Sequence, residues 1–302
     1  MDQIEVATIT DGNYILYQKV AIVSLCKNTS SRIRVNLIYS GVISKKDREF
    51  FLNLEKMYKN ITLRFINYSN RIDYSAKNHV SKAAYIKINL DTILSDIDKV
   101  IYLDSDVLIN DDIKELWSYS NKIHYLGAII NPGYDYDNRV FGVSKDHKTF
   151  NSGVMMLNLK NIRKHEFSKK LKLFLDEKGH LTRLNDQAAF NAVFLDWQLL
   201  PEKWNVQYVF YMKSSKELDI DSIHLKDLRK NPSIIHFTSN SKPWQYRNAH
   251  PFKKKYYSYL IEVEPNFKYQ DKNILSLVKR IRESISIIKK DFTEKRKLWK
   301  KK

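Results

Sequence analysis

Hydrophobic positions along the chain follow two different spacings. Short apolar runs occur at Glu5–Ile9, Arg34–Tyr39, Thr62–Ile66 and Lys99–Leu103. Turn residues such as Asp11-Gly12-Asn13 and Ser40-Gly41 punctuate them, as expected of strands. Between these runs, apolar residues recur three or four apart. Leu16, Val20, Val23 and Leu25 mark one helix, and Phe50, Phe51, Leu54 and Met57 mark a second that Ser44 would cap. A third helix is predicted from about Ser81 to Leu94. Strands alternating with helices predict an α/β fold, a mostly parallel sheet joined by crossovers. Sheets of that kind bind ligands beyond the carboxyl ends of their strands. No repeat and no Gly/Ser linker interrupts the first 250 residues, so residues 1–250 read as one catalytic-sized domain.

Residues 251–302 follow a different pattern. Ile274, Val278, Ile281, Ile285, Ile288 and Phe292 are spaced alternately four and three apart, which makes one apolar helical stripe. Lys279, Arg280, Arg282, Lys289 and Lys290 occupy the other faces, and Trp299 lies among Lys297, Lys300, Lys301 and Lys302. A basic amphipathic helix of this type predicts a membrane-surface element. The alternatives are a helix docked on the catalytic domain with a solvated basic face, or a short coiled coil. Lys253-Lys254-Lys255 with Tyr256, Tyr257 and Tyr259 either extends the membrane-facing surface or contributes aromatics to a core.

Charge sharpens this picture. Fifty-two Lys and Arg against 34 Asp and Glu leave +18 over 302 residues, which calls for an anionic partner. Residues 274–302 alone carry +8. That clustering in an amphipathic tail argues against the groove-shaped footprint of a nucleic-acid-binding protein. A hydrophobic content of 43% excludes a disordered chain. The single cysteine, Cys26, excludes an internal disulfide and a cysteine-based zinc site, which fits a reducing compartment. Residues 1–25 lack a basic start ahead of an apolar run, and no apolar stretch nears the ~18–20 residues of a spanning helix. The expected location is cytoplasmic, peripheral on the inner face of the cell membrane.

The candidate chemistry begins where the Lys99–Leu103 strand ends, at Asp104-Ser105-Asp106. Two carboxylates flanking one residue on a bent strand end can share a hard divalent cation, which in turn can bridge a diphosphate. Three further blocks complete the set: Phe150-Asn-Ser-Gly-Val-Met-Met-Leu-Asn-Leu159, Leu184-Asn-Asp-Gln-Ala-Ala-Phe-Asn191 and Ile235-His-Phe-Thr-Ser-Asn-Ser-Lys-Pro-Trp244. With Tyr102-Leu-Asp-Ser-Asp-Val107 they resemble glycosyltransferase family 8, which includes bacterial lipopolysaccharide galactosyl- and glucosyltransferases and is related to glycogenin. The resemblance runs over roughly residues 4 to 250, with the blocks in the family's order.

The resemblance implies a GT-A fold, a UDP-glucose or UDP-galactose donor, Mn²⁺ (Mg²⁺ as the substitute) and retention of anomeric configuration. It implies that Asp104, Asp106 and His236 ligate the metal, and that Ser105 and Lys242 serve the nucleotide diphosphate. Asp11 would accept a hydrogen bond from the uracil ring, Asn13 would contact the nucleoside and Tyr14 would stack on the base. Lys87, Asn151, Asp186 and Gln187 would surround the donor sugar, with Asp186 and Gln187 as the catalytic pair. Gln187 would then lie near the anomeric carbon, where retention needs a nucleophile or a front-face route. An amide oxygen is a poor nucleophile, which favours the second. On structure alone, Asp186 and Gln187 would instead cap and solvate the helix carrying Ala188, Phe190 and Val193.

Two positions depart from the family pattern: Ser239 replaces a glycine before Lys-Pro-Trp, and Asn131 replaces an aspartate that contacts acceptors. The implied activity is hexose transfer to a glycan or lipid-linked acceptor of bacterial cell-surface polysaccharide or lipopolysaccharide. A protein acceptor such as a surface adhesin is the alternative. A metal-dependent nucleotidyltransferase shares the carboxylate pair but does not predict His236-x₅-Lys242-Pro-Trp.

Overall fold

The computed structural model describes residues 3–68, 82–135 and 137–299. Two compact units partition the chain. The first comprises Met1–Ile15, Thr29–Ser105 and Asp112–Pro201, and the second Leu16–Asn28, Asp106–Asp111 and Glu202–Lys302.

The first unit is built on β1 (Ile4–Asp11), β2 (Ile33–Ser40), β3 (Ile61–Asn67), β4 (Lys99–Leu103), β6 (Leu126–Ile130), β7 (Phe150–Asn158) and β8 (Gln198–Leu199). They form one seven-stranded sheet in the order β3-β2-β1-β4-β7-β6-β8. β1 runs parallel to β2 and β4, β2 parallel to β3, and β6 parallel to β8. β7 alone is reversed, antiparallel to both neighbours. The chain lays β2 and β3 on one side of β1 and then returns to place β4 on the other. That reversal makes the β1–β4 boundary the switch point at which such sheets open a crevice. β1 ends at Asp11, and Asp104 immediately follows β4.

The apolar runs form strands because both sheet faces are covered. From Val6 to Thr10 every residue of β1 is buried, the near-continuous burial of a central parallel strand. Ile38, Ile86, Leu94, Val100, Met155 and Phe190 pack into the same core. Helix α2 (Lys45–Met57) starts as its sequence predicts, with Ser44 accepting the Asp47 N–H at 3.1 Å. Its inward face is narrower than the periodicity suggests: Phe51 and Leu54 are buried, while Met57 is 69% exposed. The helix expected over Ser81–Leu94 is two pieces, α3 (Lys82–Ile88) and α4 (Leu90–Ile93), with Ser81 outside the described residues. The break falls at Asn89, whose side-chain amide donates back to the Tyr85 carbonyl at 2.7 Å.

The second unit holds a three-stranded sheet of β5 (Val107–Ile109), β10 (Ile234–His236) and β9 (Val206–Gln207), with β10 central. Around it lie α1 (Ile15–Asn28), α6 (Lys253–Val263) and α7 (Ile274–Trp299); α5 (Asn185–Val193) belongs to the first unit. Val20, Leu108, Ile235, Phe237, Trp244, Tyr256 and Leu260 share one core. Trp244 is stacked on Tyr17 with ring centroids 3.6 Å apart, which ties the Lys-Pro-Trp segment to α1.

The Lys253–Lys255 and tyrosine cluster is therefore not an outward basic surface. Lys253 and Tyr256 are buried, and Lys253 is spent on backbone carbonyls. Helix α7 turns its apolar stripe outward: Ile274 is 82% exposed, Ile288 65% and Phe292 61%. Its inward positions are polar, Ser276 and Glu283 among them. The expected cluster of Trp299 with Lys297 and Lys300–Lys302 lies outside the described side chains.

Candidate functional site

In the first unit, Asp104 is placed by the strand beside it. Its N–H donates to the Gly153 carbonyl of β7 at 2.8 Å, and its carboxylate accepts from the Tyr102 hydroxyl at 2.8 Å. Lys87 of α3 is 5% exposed and lies 3.3 Å from Asp104 and 2.9 Å from Asp186. It also donates to the Ser152 hydroxyl at 3.1 Å. Burial by itself lowers the pKa of a lysine, but here Asp104 and then Asp186 outweigh it and hold Lys87 above its ordinary value. The ammonium is a fixed charge that keeps two carboxylates together.

Gln187 continues this cluster. Its amide oxygen accepts from Asn151 Nδ2 at 2.9 Å and from the Ser152 N–H at 3.2 Å. Its amide nitrogen is buried and meets no hydrogen-bond partner among the described residues. A buried donor without a partner costs free energy, about 1–3 kcal/mol, and is the signature of a site shaped for a ligand. Asp186 and Gln187 stand in the first turn of α5, yet neither caps it. The N-cap is Leu184, with no side-chain bond, so the capping role expected on structural grounds is not realised. Lys87, Asn151, Asp186 and Gln187 are thus brought together as predicted.

At the end of β1, one Asp11 oxygen accepts the N–H groups of Asn13 at 2.9 Å and Tyr14 at 3.0 Å. That Asx turn presents Tyr14 at 41% exposure. Ser105 is half-buried between the two aspartates, and Asn131 is half-buried with its N–H on the Thr149 carbonyl.

In the second unit, Asp106 is 13% exposed and faces two bases: His236 Nε2 at 3.2 Å and Lys242 Nζ at 2.7 Å. Burial would raise its pKa, but His236 and Lys242 outweigh that and hold the carboxyl well below the usual range. His236 ends β10, where the strand pairs with Val107 on one side and Gln207 on the other. Its Nδ1 lies 2.9 Å from the Asn205 side-chain oxygen, which fixes the tautomer with the proton on Nδ1. Nε2, which faces Asp106, is then the nitrogen that would present a lone pair to a cation. This is the outer-shell arrangement of a metal-ligating histidine. Lys242 also donates to the Phe237 carbonyl at 2.8 Å. Ser239 takes the family's glycine position without a left-handed φ, its hydroxyl bonding to the Ser241 carbonyl at 2.6 Å.

Three partners escaped the sequence reading: Tyr102, Ser152 and Asn205. Tyr102 shares a strand face with Asp104, a period-two signal that was open to use. Ser152 stands within a block already singled out. Asn205 follows a buried tryptophan in an irregular stretch and carries no local signal.

The sequence pattern described as Glycosyl transferase family 8 matches residues 5–248. General stress protein A of Bacillus subtilis is 27% identical over 263 residues, covering 84% of this chain and 92% of that protein. A lipopolysaccharide 1,2-glucosyltransferase of Escherichia coli is 24% identical over 262 residues, covering 82% and 76%. Among solved structures, galactosyltransferase LgtC in complex with donor and acceptor sugar analogs superposes with a TM-score of 0.70 at 23% identity, covering 86% of this chain and 96% of that one. That likeness shows the fold, which is the GT-A fold.

Proposed function

Because the chain belongs to glycosyl transferase family 8, we propose that it moves glucose or galactose from a UDP-sugar to a glycan acceptor in cell-surface polysaccharide or lipopolysaccharide biosynthesis, with retention. The observation that carries the reading is the Asp106–His236–Lys242 cluster, with His236 oriented by Asn205. Asp104 precedes Asp106 by two residues in the sequence, and the family resemblance counts both, with His236, as ligands of the cation. A bound Mn²⁺ or Mg²⁺ would act as a Lewis acid on the leaving diphosphate.

The chain's own groups supply the rest. Lys242 brings a second positive charge to the diphosphate. Asp11, Asn13 and Tyr14 hold the nucleoside, with Ser105 beside the phosphates. Lys87 pairs with Asp186 at 2.9 Å and aims it, so that its carboxylate accepts from sugar hydroxyls. Gln187 is a donor at this site: its oxygen is engaged by Asn151 and Ser152, and its buried N–H₂ is the group left for the sugar. An amide oxygen already accepting two hydrogen bonds is weaker still as a nucleophile. The front-face route therefore fits these residues better than a glycosyl–enzyme intermediate on Gln187. The reading is tested by incubating the protein with UDP-glucose or UDP-galactose, Mn²⁺ and a glycan acceptor. The first-formed product, read by NMR, is expected to be α-linked. A β-linkage overturns both the retaining assignment and the role given to Gln187.

The same reading places the enzyme on the inner face of the membrane. Among the described residues no helix is long and apolar enough to cross a membrane. The support is α7, whose outward stripe is flanked by exposed Lys279, Arg282 and Lys289. Basic groups near an anionic leaflet contribute about 1 kcal/mol each. Ile281 and Ile285 are 49% and 47% exposed, so Ile281→Asp with Ile285→Asp should leave the melting temperature unchanged. Co-sedimentation with anionic vesicles should fall sharply in the double variant, and should weaken with salt in the unaltered protein. Undiminished vesicle binding by the double variant overturns the membrane reading.

A further inference from the structure

The segment between β10 and α6 carries Lys242, yet it has almost no secondary structure of its own. Its backbone polar groups still need partners. Three charged side chains from the C-terminal 52 residues provide them. Lys253 Nζ donates to the carbonyls of Gln245 at 2.5 Å, Tyr246 at 2.9 Å and Asn248 at 3.1 Å. Asp271 accepts the N–H groups of Tyr246 at 2.6 Å and Arg247 at 3.2 Å. Glu283, on the inward face of α7, accepts the Ala249 N–H at 3.1 Å and the Tyr208 hydroxyl with its other oxygen. One cation thus binds the carbonyls of this loop and two carboxylates bind its N–H groups, each bond charge-assisted.

The clamped stretch feeds directly into Lys242. Gln245, whose carbonyl Lys253 holds, accepts the Lys242 N–H on its side-chain oxygen at 2.9 Å. Asn248, also held by Lys253, donates to the Ser241 carbonyl at 2.5 Å. The peptide that joins Ser241 to Lys242 is therefore held at both its carbonyl and its N–H by groups that are fixed in turn by the C-terminal region.

We propose that Lys253, Asp271 and Glu283 are positioning residues that deliver Lys242 to the donor diphosphate, so that residues 251–302 belong to the donor site as well as to the outer surface. This inference rests on the reading of Lys242 as a diphosphate ligand. A chain lacking residues 274–302 should therefore hydrolyse the donor less well, because Glu283 is lost with the tail.

The test is a double-mutant cycle in the full chain, with binding of UDP in the presence of Mn²⁺ measured by calorimetry. KM and kcat for UDP-sugar hydrolysis and the melting temperature are recorded beside it. Lys242→Ala is expected to weaken UDP by about tenfold or more, the scale of a hydrogen bond to a charged group. Asp271→Ala should weaken UDP several-fold and raise KM more than it lowers kcat, with partial rescue in Asp271→Asn, which keeps one acceptor oxygen. In the Lys242→Ala background Asp271→Ala should add nothing to the UDP loss, because the clamp acts through a side chain no longer there. Glu283→Ala should follow the same rule. If Lys242→Ala leaves UDP affinity unchanged, the diphosphate role of Lys242 fails. If Lys242→Ala weakens UDP but Asp271→Ala and Glu283→Ala do not, or if their effects simply add to it, the positioning role fails alone.

Discussion

Replacing Asp106 by alanine is expected to cut both sugar transfer and donor hydrolysis by about a thousandfold or more, since loss of a cation ligand forfeits several kcal/mol of leaving-group stabilisation. The structure adds a second consequence. Asp106 is the carboxylate that faces both His236 and Lys242, so its removal leaves a buried imidazole and an ammonium without their shared counter-charge. Asp106→Asn separates the two effects: it keeps the shape and an acceptor oxygen but not the charge, so cation affinity should fall with a smaller loss of melting temperature. Asp104→Ala should lose activity alike, whereas His236→Ala should lose less because both carboxylates remain. Asn205→Ala, which frees the His236 ring to turn, should cost about 10- to 100-fold in cation affinity. Mn²⁺ titration of each variant, with hydrolysis of the UDP-sugar alongside, checks the series. Near-normal activity of the Asp104 and Asp106 variants at low Mn²⁺ would refute the cation assignment.

How much of this was legible in advance depends on whether the information was local. The runs ending at Ile9, Tyr39 and Leu103 became β1, β2 and β4 because a strand buried on both faces must be apolar along most of its length, and the run ending at Ile66 became the half-buried edge strand β3. Ser44 capped its helix because a hydroxyl three residues before an amide N–H is a local geometry. Asp104 and Asp106 could be named because they follow an apolar strand and stand in a block that resembles the family's, and His236 because its block resembles the one that carries the family's third ligand. The pairs that orient them could not be named. His236 and Asn205 are 31 residues apart, and Lys87 and Ser152 are 65 apart. The tail shows the same limit. Periodicity predicts a stripe on α7 but not which side of the helix docks. Here the side that carries Glu283 docks, because the loop that follows Lys242 presents the Ala249 N–H, which Glu283 accepts. The basic run at Lys253 left an outer surface and a core both open for a related reason: a lysine surrounded by backbone carbonyls can be buried, and composition does not reveal carbonyls.

Lys87→Met should be the most damaging substitution at a residue that is not itself a candidate cation ligand. The side chain is nearly isosteric, so packing changes little, but Asp104 and Asp186 lose the ammonium between them. Breaking a buried pair by removing one partner typically costs about 3–5 kcal/mol, here an upper range because both carboxylates are partly open to solvent. The melting temperature should therefore drop by several degrees, and donor hydrolysis should drop with it as Asp186 loses its aim. The pH dependence carries the sign. Lys87 has a raised pKa in the folded protein, so its contribution is complete below the unfolded value of 10.5 and is lost only as pH rises through the folded one. The stability gap between the unaltered protein and Lys87→Met should thus stay flat from about pH 6 to pH 9. A gap that closes between pH 7 and pH 9 would mean that burial wins and the lysine is neutral near pH 8. In that case it could not hold two carboxylates together. Lys87→Arg keeps the charge and should recover most of the stability. Its wider fork cannot reproduce the contacts to Asp104, Asp186 and Ser152 together, so activity should recover less than stability.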